Sequence, residues 1–448
     1  MRMKGLMLAL TLFALAGCDS VLDLTPVNEL TEDQAIADPT GARAATAGIY
    51  DALQDGSYYG ETFITFSDLP SEDVVHTGTF STYGDADANQ IRSDNTTVEG
   101  IWDALYQAVG RANIVIERVP GVEGMDDGER DQLLGEAHFL RALSFHNAVK
   151  LWGDSADGGM GVPIPTVVPG TVSEASEIAR ASTQESYAQI MADLQQAEQL
   201  MSTEKDPRRA SLGAVHALRV RVHLYRENWA EAEASAEQVE AMGYTLAPDY
   251  SDLFTPDGAE TAEDILKVAF TPVEFSLLGF YYRSRSDGGR GEVGPSAEME
   301  GAYTPEDVRG TWNISFRGSR AFGSKWPTGA GDEDIYVIRY AEVLLSRAEA
   351  EARQGKLEEA VASLNPTRVR AGLDPLDAAG MTQQQLLDAI LHERRLELAM
   401  EGDRWPDLVR RGQAIAVLGL EDRPEQRLFP IPLAELDVAP NLVQNPGY

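Results

Sequence analysis

The chain has 448 residues, 43% of them hydrophobic, which is ample for a large folded core and too much for intrinsic disorder. Its formal net charge of −35 excludes any role that rests on attraction to nucleic acid or to an anionic membrane surface. The single cysteine, Cys18, excludes an intrachain disulfide framework and a cysteine-built metal cage.

The first element is an export signal. Arg2 and Lys4 precede Leu6 to Ala16, an apolar run too short to cross a bilayer as a helix. Leu15-Ala16-Gly17-Cys18 then looks like a lipobox. Residues 1–17 are therefore expected to be removed and Cys18 to carry lipid, with residues 18–30 as a tether. One acyl chain anchors a protein marginally, but several together hold it durably.

Helical periodicity dominates the rest. Leu133, Ala137, Leu140, Ser144, Ala148 and Leu151 fall on one face of a helix over 131–151, and Phe139, Leu143 and Val149 add a second stripe. A Gly/Pro-rich loop follows from Gly153 to Thr171. Ser182 and Glu185 are spaced as a capping box for a helix reaching about Met201. Residues 211–241 read as a helix pair turning at Glu227-Asn228, and 336–364 as another pair turning at Gly355. These pairs resemble degenerate tetratricopeptide repeats. A last long helix is expected from Thr382 to Glu401. Residues 55–100 and 253–335 lack long helical periodicity, and irregular segments on a helical scaffold are where binding sites tend to lie.

Catalytic patterns fail their context tests. Gly289-Arg-Gly291-Glu-Val-Gly294 matches a dinucleotide fingerprint but follows a polar run instead of a strand. Asp85, Asp87 and Asn89 begin like a calcium loop, but Gln90 and Thr96 stand where glycine and glutamate are needed. His216 and His223 share a helix face without a third ligand at suitable spacing. Glu393, Glu397 and Glu401 are interleaved with Arg394, Arg395 and Arg404, which suits an ion-pair network with low carboxylate pKa values better than acid–base work. No cofactor, metal or catalytic residue is expected. The positive signal is aromatic: Phe280-Tyr281-Tyr282, Tyr303, Trp312, Phe316, Phe322 and Trp326 lie in one irregular segment, and His76, Phe80 and Tyr83 in the other.

Four stretches carry a resemblance. They are Gly135-Glu-Ala-His-Phe-Leu-Arg-Ala-Leu143 running on to Lys150-Leu-Trp-Gly-Asp154; Gly243-Tyr-Thr-Leu246 with Tyr250-Ser-Asp-Leu-Phe254; Asp334 to Glu349 continuing to Glu393-Arg-Arg-Leu-Glu397 and Glu401-Gly-Asp-Arg-Trp405; and Pro430-Ile-Pro432 with Gln444-Asn-Pro-Gly-Tyr448. In this order, behind a lipobox, the chain resembles the SusD/RagB family of outer-membrane nutrient-binding lipoproteins. Two departures stand out. His138 replaces the family's usual arginine, altering a structural ion pair, and Pro366 is expected to interrupt a helix that usually continues.

The resemblance implies an all-α dominated fold, a tetratricopeptide-like α-α superhelix with long irregular loops and little β structure. Residues 31–448 form a single SusD-like domain, with parts at about 31–242 and 243–448. It implies a surface-exposed lipoprotein of the outer membrane that is no enzyme, and that acts as the lid of a SusC-like TonB-dependent barrel. The ligand is an oligosaccharide or, for some members, a peptide. By region, the resemblance assigns ligand binding to His76, Phe80, Tyr83, Tyr281, Tyr282 and Trp312. The alternative is a tetratricopeptide-type scaffold lipoprotein in envelope assembly.

The anchor is directly testable. Cys18→Ser is expected to abolish incorporation of labelled palmitate and to release the protein from the membrane fraction. Labelling that survives the substitution would contradict the lipobox.

Overall fold

A computed structural model describes residues 36–154, 158–171, 174, 176–255, 258–327 and 330–448. The export segment, Cys18 and the tether to residue 30 lie outside the described residues.

Local chemistry sets the helix starts. Helix α1, Pro39–Gln54, begins where the Asp38 carboxylate accepts from the Gly41 amide and a proline occupies the first turn. Helix α2, Thr96–Arg118, is capped by Asn95, and α3, Asp127–Trp152, by Asp126. Helix α4, Thr183–Leu200, opens on the Ser182–Glu185 capping box. Helices α5, Leu212–Tyr225, and α6, Trp229–Ala241, meet at a tight turn where Glu227 takes a φ of 56°. Helix α7, Tyr340–Arg353, leads through Gly355, at φ 79°, into α8, Leu357–Arg370. Helix α9, Gln383–Glu397, starts at a Thr382–Gln385 capping box and ends four residues short of expectation. The chain there turns through Met400 at φ 62° and Gly402 at φ 82°.

The helices stack in chain order. Helix α1 packs on α2, α3 on α4, α5 on α6 and α7 on α8, while α2 also meets α3, α4 meets α5, α6 meets α7 and α7 meets α9. This is the expected α-α superhelix. Helix α3 is buried along almost its whole length, as its two apolar stripes require. Ala232 and Ala236 are buried on α6, small enough to let neighbouring helices approach closely. Burying a single leucine such as Leu218 stabilises by about 1.5–3 kcal/mol.

Helix α8 runs on through Pro366, where an interruption was expected. The proline removes one amide donor, and beside it the Thr367 hydroxyl donates to the Leu364 carbonyl at 2.7 Å. Asn365 exchanges two hydrogen bonds with the backbone of Leu376. The turn is therefore held from its side chains.

The irregular segments resolve into short helices and two-stranded antiparallel sheets. Strand β1, Val74–His76, pairs with β5, Val293–Pro295, with His76 opposite Val293. Strand β2, Met160–Pro163, pairs with β3, Arg180–Ser182. Strand β4, Asp264–Val268, pairs with β8, Ile335–Arg339, and β6, Ile314–Arg317, forms a hairpin with β7, Arg320–Gly323. The main apolar core draws on both halves of the chain, from Ile36 to Ile431.

Buried ion pairs dock the C-terminal segments on the helices. Arg339 donates to Glu263 at 2.8 Å, to Glu397 at 2.6 Å and to Glu401 at 2.8 Å. Arg370 bridges Glu263 and Glu397, Arg309 joins Asp307, Glu393 and Glu397, and Lys325 meets Glu401 at 2.5 Å. The expected network exists, but its partners differ from those expected. Arg394 instead pairs with Asp407, Arg395 with Asp73 and Arg404 with Glu72. Burial alone would raise the pKa of Glu397, but Arg370, Arg339 and Arg309 hold it far below the carboxylate range. Glu393 departs from the expected low value: burial outweighs Arg309 and Arg368 and pushes it up.

Removing one member of such a lattice strands the others. Glu397→Gln is expected to cost roughly 3–5 kcal/mol in urea unfolding. A loss below about 1 kcal/mol would show that the lattice contributes little.

Candidate functional site

The β1–β5 pair brings the two aromatic segments together. Around it the Thr77 amide donates to the Glu292 carbonyl at 2.9 Å, the Glu292 amide to the Tyr281 carbonyl at 2.8 Å, and the Leu277 amide to the Gly60 carbonyl at 2.8 Å. His76, Phe80, Tyr83 and Tyr281 meet there. Ring centroids lie 5.6 Å apart for Phe80 and Tyr83, 6.0 Å for Phe80 and Tyr281, 6.1 Å for Tyr83 and Tyr281, and 6.4 Å for His76 and Tyr83. Tyr281 meets Phe80 and Tyr83 edge-to-face, which fixes its ring orientation.

Phe80, Tyr83 and Tyr281 border a cavity of about 340 Å³ lined also by Gly56, Ser57, Glu61, Thr62, Thr82, Thr96, Thr97 and Leu277, whereas His76 is not among its lining residues. Hydroxyls and aromatic faces thus share one opening. Phe80 and Tyr281 are half-buried, so parts of their surfaces remain free.

Two carboxylates that sequence reading missed organise the site. Glu292 is fully buried and accepts the backbone amides of Thr79 and Phe80, both at 2.7 Å, while Arg290 donates to its second oxygen at 2.6 Å. His76 Nε2 lies 3.1 Å from it. Burial disfavours its charge, but the Phe80 amide, Arg290, His76 and the Thr79 amide together hold its pKa below the usual value. A Cβ at Gly78 would come within 2.2 Å of this carboxylate, so only glycine lets the 77–80 loop wrap it. Glu61 accepts the hydroxyls of Thr65 at 2.5 Å, Tyr83 at 2.6 Å and Thr62 at 3.0 Å. Burial nevertheless pushes its pKa up to about 7. Burial, and then the Glu61 charge, raise the Tyr83 phenol in turn. The signal for Glu292 was a lone acid in a glycine-rich loop, and Glu61 had none.

The other two assigned residues sit elsewhere. Tyr282 has no exposed surface and is packed against Gly323, where a Cβ would approach its ring within 2.6 Å. In this structure it is a core residue, because the Leu278–Tyr282 helix turns it inward while Tyr281 faces the cavity. Trp312 is 42% exposed on the short helix Val308–Asn313 and is not among the cavity residues. Asp85 and Asp87 lie on the helix Ser81–Asp87. Among the described residues, no group of three or more His, Cys, Asp or Glu could hold a metal ion.

A larger cavity of about 440 Å³ lies between α2, residues 163–169 with Ile178, and the C-terminal segment, lined by Trp102, Tyr106, Val167, Pro169 and Leu442 and by the polar Asp103, Gln107, Asn113 and Glu435. Its lining is mainly apolar and has none of the serine and threonine hydroxyls that the aromatic cavity offers.

Comparison with known proteins agrees with the scaffold. The family model described as "SusD family" matches residues 281–420, and the model described as "Starch-binding associating with outer membrane" matches residues 22–224. The chain belongs to the SusD/RagB family. It is 26% identical to SusD-like protein P38 of Formosa agariphila, over 99% of this chain and 98% of that protein. A solved SusD superfamily protein from Bacteroides vulgatus superposes with a TM-score of 0.81 at 22% identity, covering 92% of this chain and 100% of that one. A structure titled "Laminarin binding SusD-like protein" gives a TM-score of 0.79 at 26% identity, over 92% and 100% of the two chains.

The SusD/RagB signature residues prove structural. Glu136 accepts from Tyr50 at 2.8 Å and pairs with Arg209 at 2.6 Å. Arg141 donates to Asp193 at 2.5 Å and 2.9 Å, and His138, at the family's arginine position, keeps a contact to the same carboxylate at 2.8 Å.

Because the pKa of Glu61 is raised in the folded state, its contribution to stability is present at acid pH and is lost as pH rises through about 7. Urea unfolding should therefore show wild type losing stability relative to Glu61→Gln between pH 5 and pH 8. A difference that stays constant, or moves the other way, would contradict a raised pKa.

Proposed function

We propose that this chain is an outer-membrane lipoprotein that captures oligosaccharides at the Phe80–Tyr83–Tyr281 cavity. The observation that carries this reading is the meeting of free aromatic surface with threonine and serine hydroxyls in one opening. Sugar C–H faces pack on aromatic rings, and their hydroxyls exchange hydrogen bonds with short polar side chains. Each ring contact contributes about 0.5–1.5 kcal/mol beyond burial. Two or three such contacts with supporting hydrogen bonds give roughly micromolar to millimolar affinity. That range suits a protein that must release its cargo. The laminarin-binding structural neighbour supports a glycan as the ligand class.

Binding without catalysis fits the carboxylates. Glycoside hydrolysis needs a free acid and a free base or nucleophile flanking one bond. Glu61 is engaged by three hydroxyls, and Glu292 by two amides, Arg290 and His76. In our reading residues 31–448 act as one unit, tethered through Cys18 and seated as a lid on a SusC-like TonB-dependent barrel that supplies the energy for import. Co-purification with a large β-barrel would favour this over a scaffold role in envelope assembly, and its absence would favour the scaffold.

Titration of the soluble protein, residues 19–448, with laminarin and amylose oligosaccharides is the test. Tyr281→Ala is expected to weaken binding at least tenfold without lowering the melting temperature materially. Unchanged affinity in that variant would place the ligand elsewhere.

A further inference from the structure

Among the described residues, Glu61 is the one charged residue that lines the aromatic cavity. It is 1% exposed, and its carboxylate accepts only neutral donors: the Thr65 hydroxyl at 2.5 Å, the Tyr83 phenol at 2.6 Å and the Thr62 hydroxyl at 3.0 Å. A carboxylate offers about four acceptor positions, so one is left unfilled.

Hydroxyls solvate a charge without neutralising it. Among the described residues no arginine, lysine or histidine pairs with Glu61. Glu263, Glu349 and Glu397, buried elsewhere, each meet an arginine, and Glu292, beside the cavity, meets Arg290 at 2.6 Å. Asp68 also lacks a cation, but it accepts the amides of Gly402 and Arg404 and does not line the cavity.

Aromatic rings share the wall with this unmatched carboxylate. Tyr83 touches Glu61 through its phenol, and Tyr281 meets Tyr83 edge-to-face at 6.1 Å. Ring faces attract cations. Phe80 shows this directly, since the Arg290 guanidinium lies 3.9 Å from its centre. Arg290 is committed to Glu292 and is not among the cavity residues, so no described residue supplies a cation to Glu61 and Tyr281.

We infer that the cavity selects glycans that carry a protonated amine, held by Glu61 while the sugar ring rests on Tyr281. This rests on the glycan-binding reading above and adds the ligand class to it. The amine fills the open acceptor position and matches the charge, in a charge-assisted hydrogen bond. The net charge of −35 favours approach of such a ligand, although ionic strength screens that field beyond about 8–10 Å.

Burial pushes the Glu61 pKa up to about 7, so at pH 6 its carboxyl is mostly neutral. The titratable groups around it are the Tyr83, Tyr281 and Tyr282 phenols and Glu292 with its partners Arg290 and His76. Burial raises all three phenols, which stay neutral. Pairing with an ammonium at pH 6 therefore moves a proton from the Glu61 carboxyl to the buffer.

The test titrates residues 19–448 at constant ionic strength with oligosaccharides of one backbone that differ only at C2. These are cello-oligosaccharides, glucosamine oligomers and N-acetylglucosamine oligomers, with laminarin and amylose oligosaccharides as further neutral ligands. The glucosamine form is expected to bind tenfold or more tightly than its hydroxyl and N-acetyl counterparts. Calorimetry of the wild type at pH 6, in buffers of different ionisation enthalpy, should show release of roughly one proton per glucosamine oligomer bound. In Glu61→Gln the preference should fall to threefold or less and the proton release should vanish. A variant that keeps the preference would trace it to the acidic surface at large and overturn the inference. So would binding of the glucosamine form by the wild type without proton release. A glucosamine form that binds no more tightly than the neutral forms, where any neutral oligosaccharide binds, would overturn the inference and leave the glycan reading standing. Binding of no oligosaccharide would overturn both.

Discussion

Arg339 is the point on which the architecture turns. It ends strand β8, starts helix α7, and joins Glu263, Glu397 and Glu401 in the interior. Ionised groups leave water at a cost of several kcal/mol each, so they persist in a core only in near-complete mutual pairing. Here Arg309, Arg339, Arg370 and Lys325 meet Glu263, Asp307, Glu393, Glu397 and Glu401, and Arg368 adds a fifth cation at Glu393. The lattice spans β4, β8, α8, α9 and the loops between them. An apolar contact would hold these elements without specifying their angles, whereas guanidinium forks specify both. From this clamp the irregular segment extends outward to β5, and β5 to β1, where the cavity lies.

The site repeats the device on a smaller scale. Glu292 ties the 77–80 loop to the 290–292 loop through the Thr79 and Phe80 amides, and Arg290 adds a bond to Thr79. Rings that must receive a ligand are thereby held on short helices, Ser81–Asp87 with Phe80 at its start and Leu278–Tyr282, that could not hold their orientation alone. Rigid presentation reduces the ordering cost of binding, which matters when only a few ring contacts supply the affinity.

Much of the scaffold was legible from the chain. The capping box at Ser182 and Glu185, the turn at Glu227-Asn228 and the break at Gly355 are local chemistry, and local chemistry survives in sequence. Pro366 misled because Thr367 and Asn365 hold the turn around it through side chains that no periodicity reveals. The partners of Glu393 and Glu397 were invisible because Arg309, Arg339 and Arg370 are distant in sequence. At the site, His76, Phe80, Tyr83 and Tyr281 were named from their segments, and the structure brings them together. Tyr281 and Tyr282 are adjacent, yet one faces the cavity and the other the core, a distinction set by the packing of a five-residue helix. The three-residue strands β1 and β5 carry too little pattern to predict their pairing. The stretches that carry the SusD/RagB resemblance turn out to build the frame, while the cavity comes from short helices and the first turn of α2, outside them.

The central claim is that ligand meets the Phe80–Tyr83–Tyr281 cavity. A crystal structure of residues 19–448 with a bound oligosaccharide tests it most directly. The account predicts a sugar ring against Tyr281 and Phe80 with its hydroxyls toward the threonines of the cavity. A sugar bound instead in the apolar cavity beside Trp102 and Tyr106, with the aromatic cavity unfilled, would contradict it.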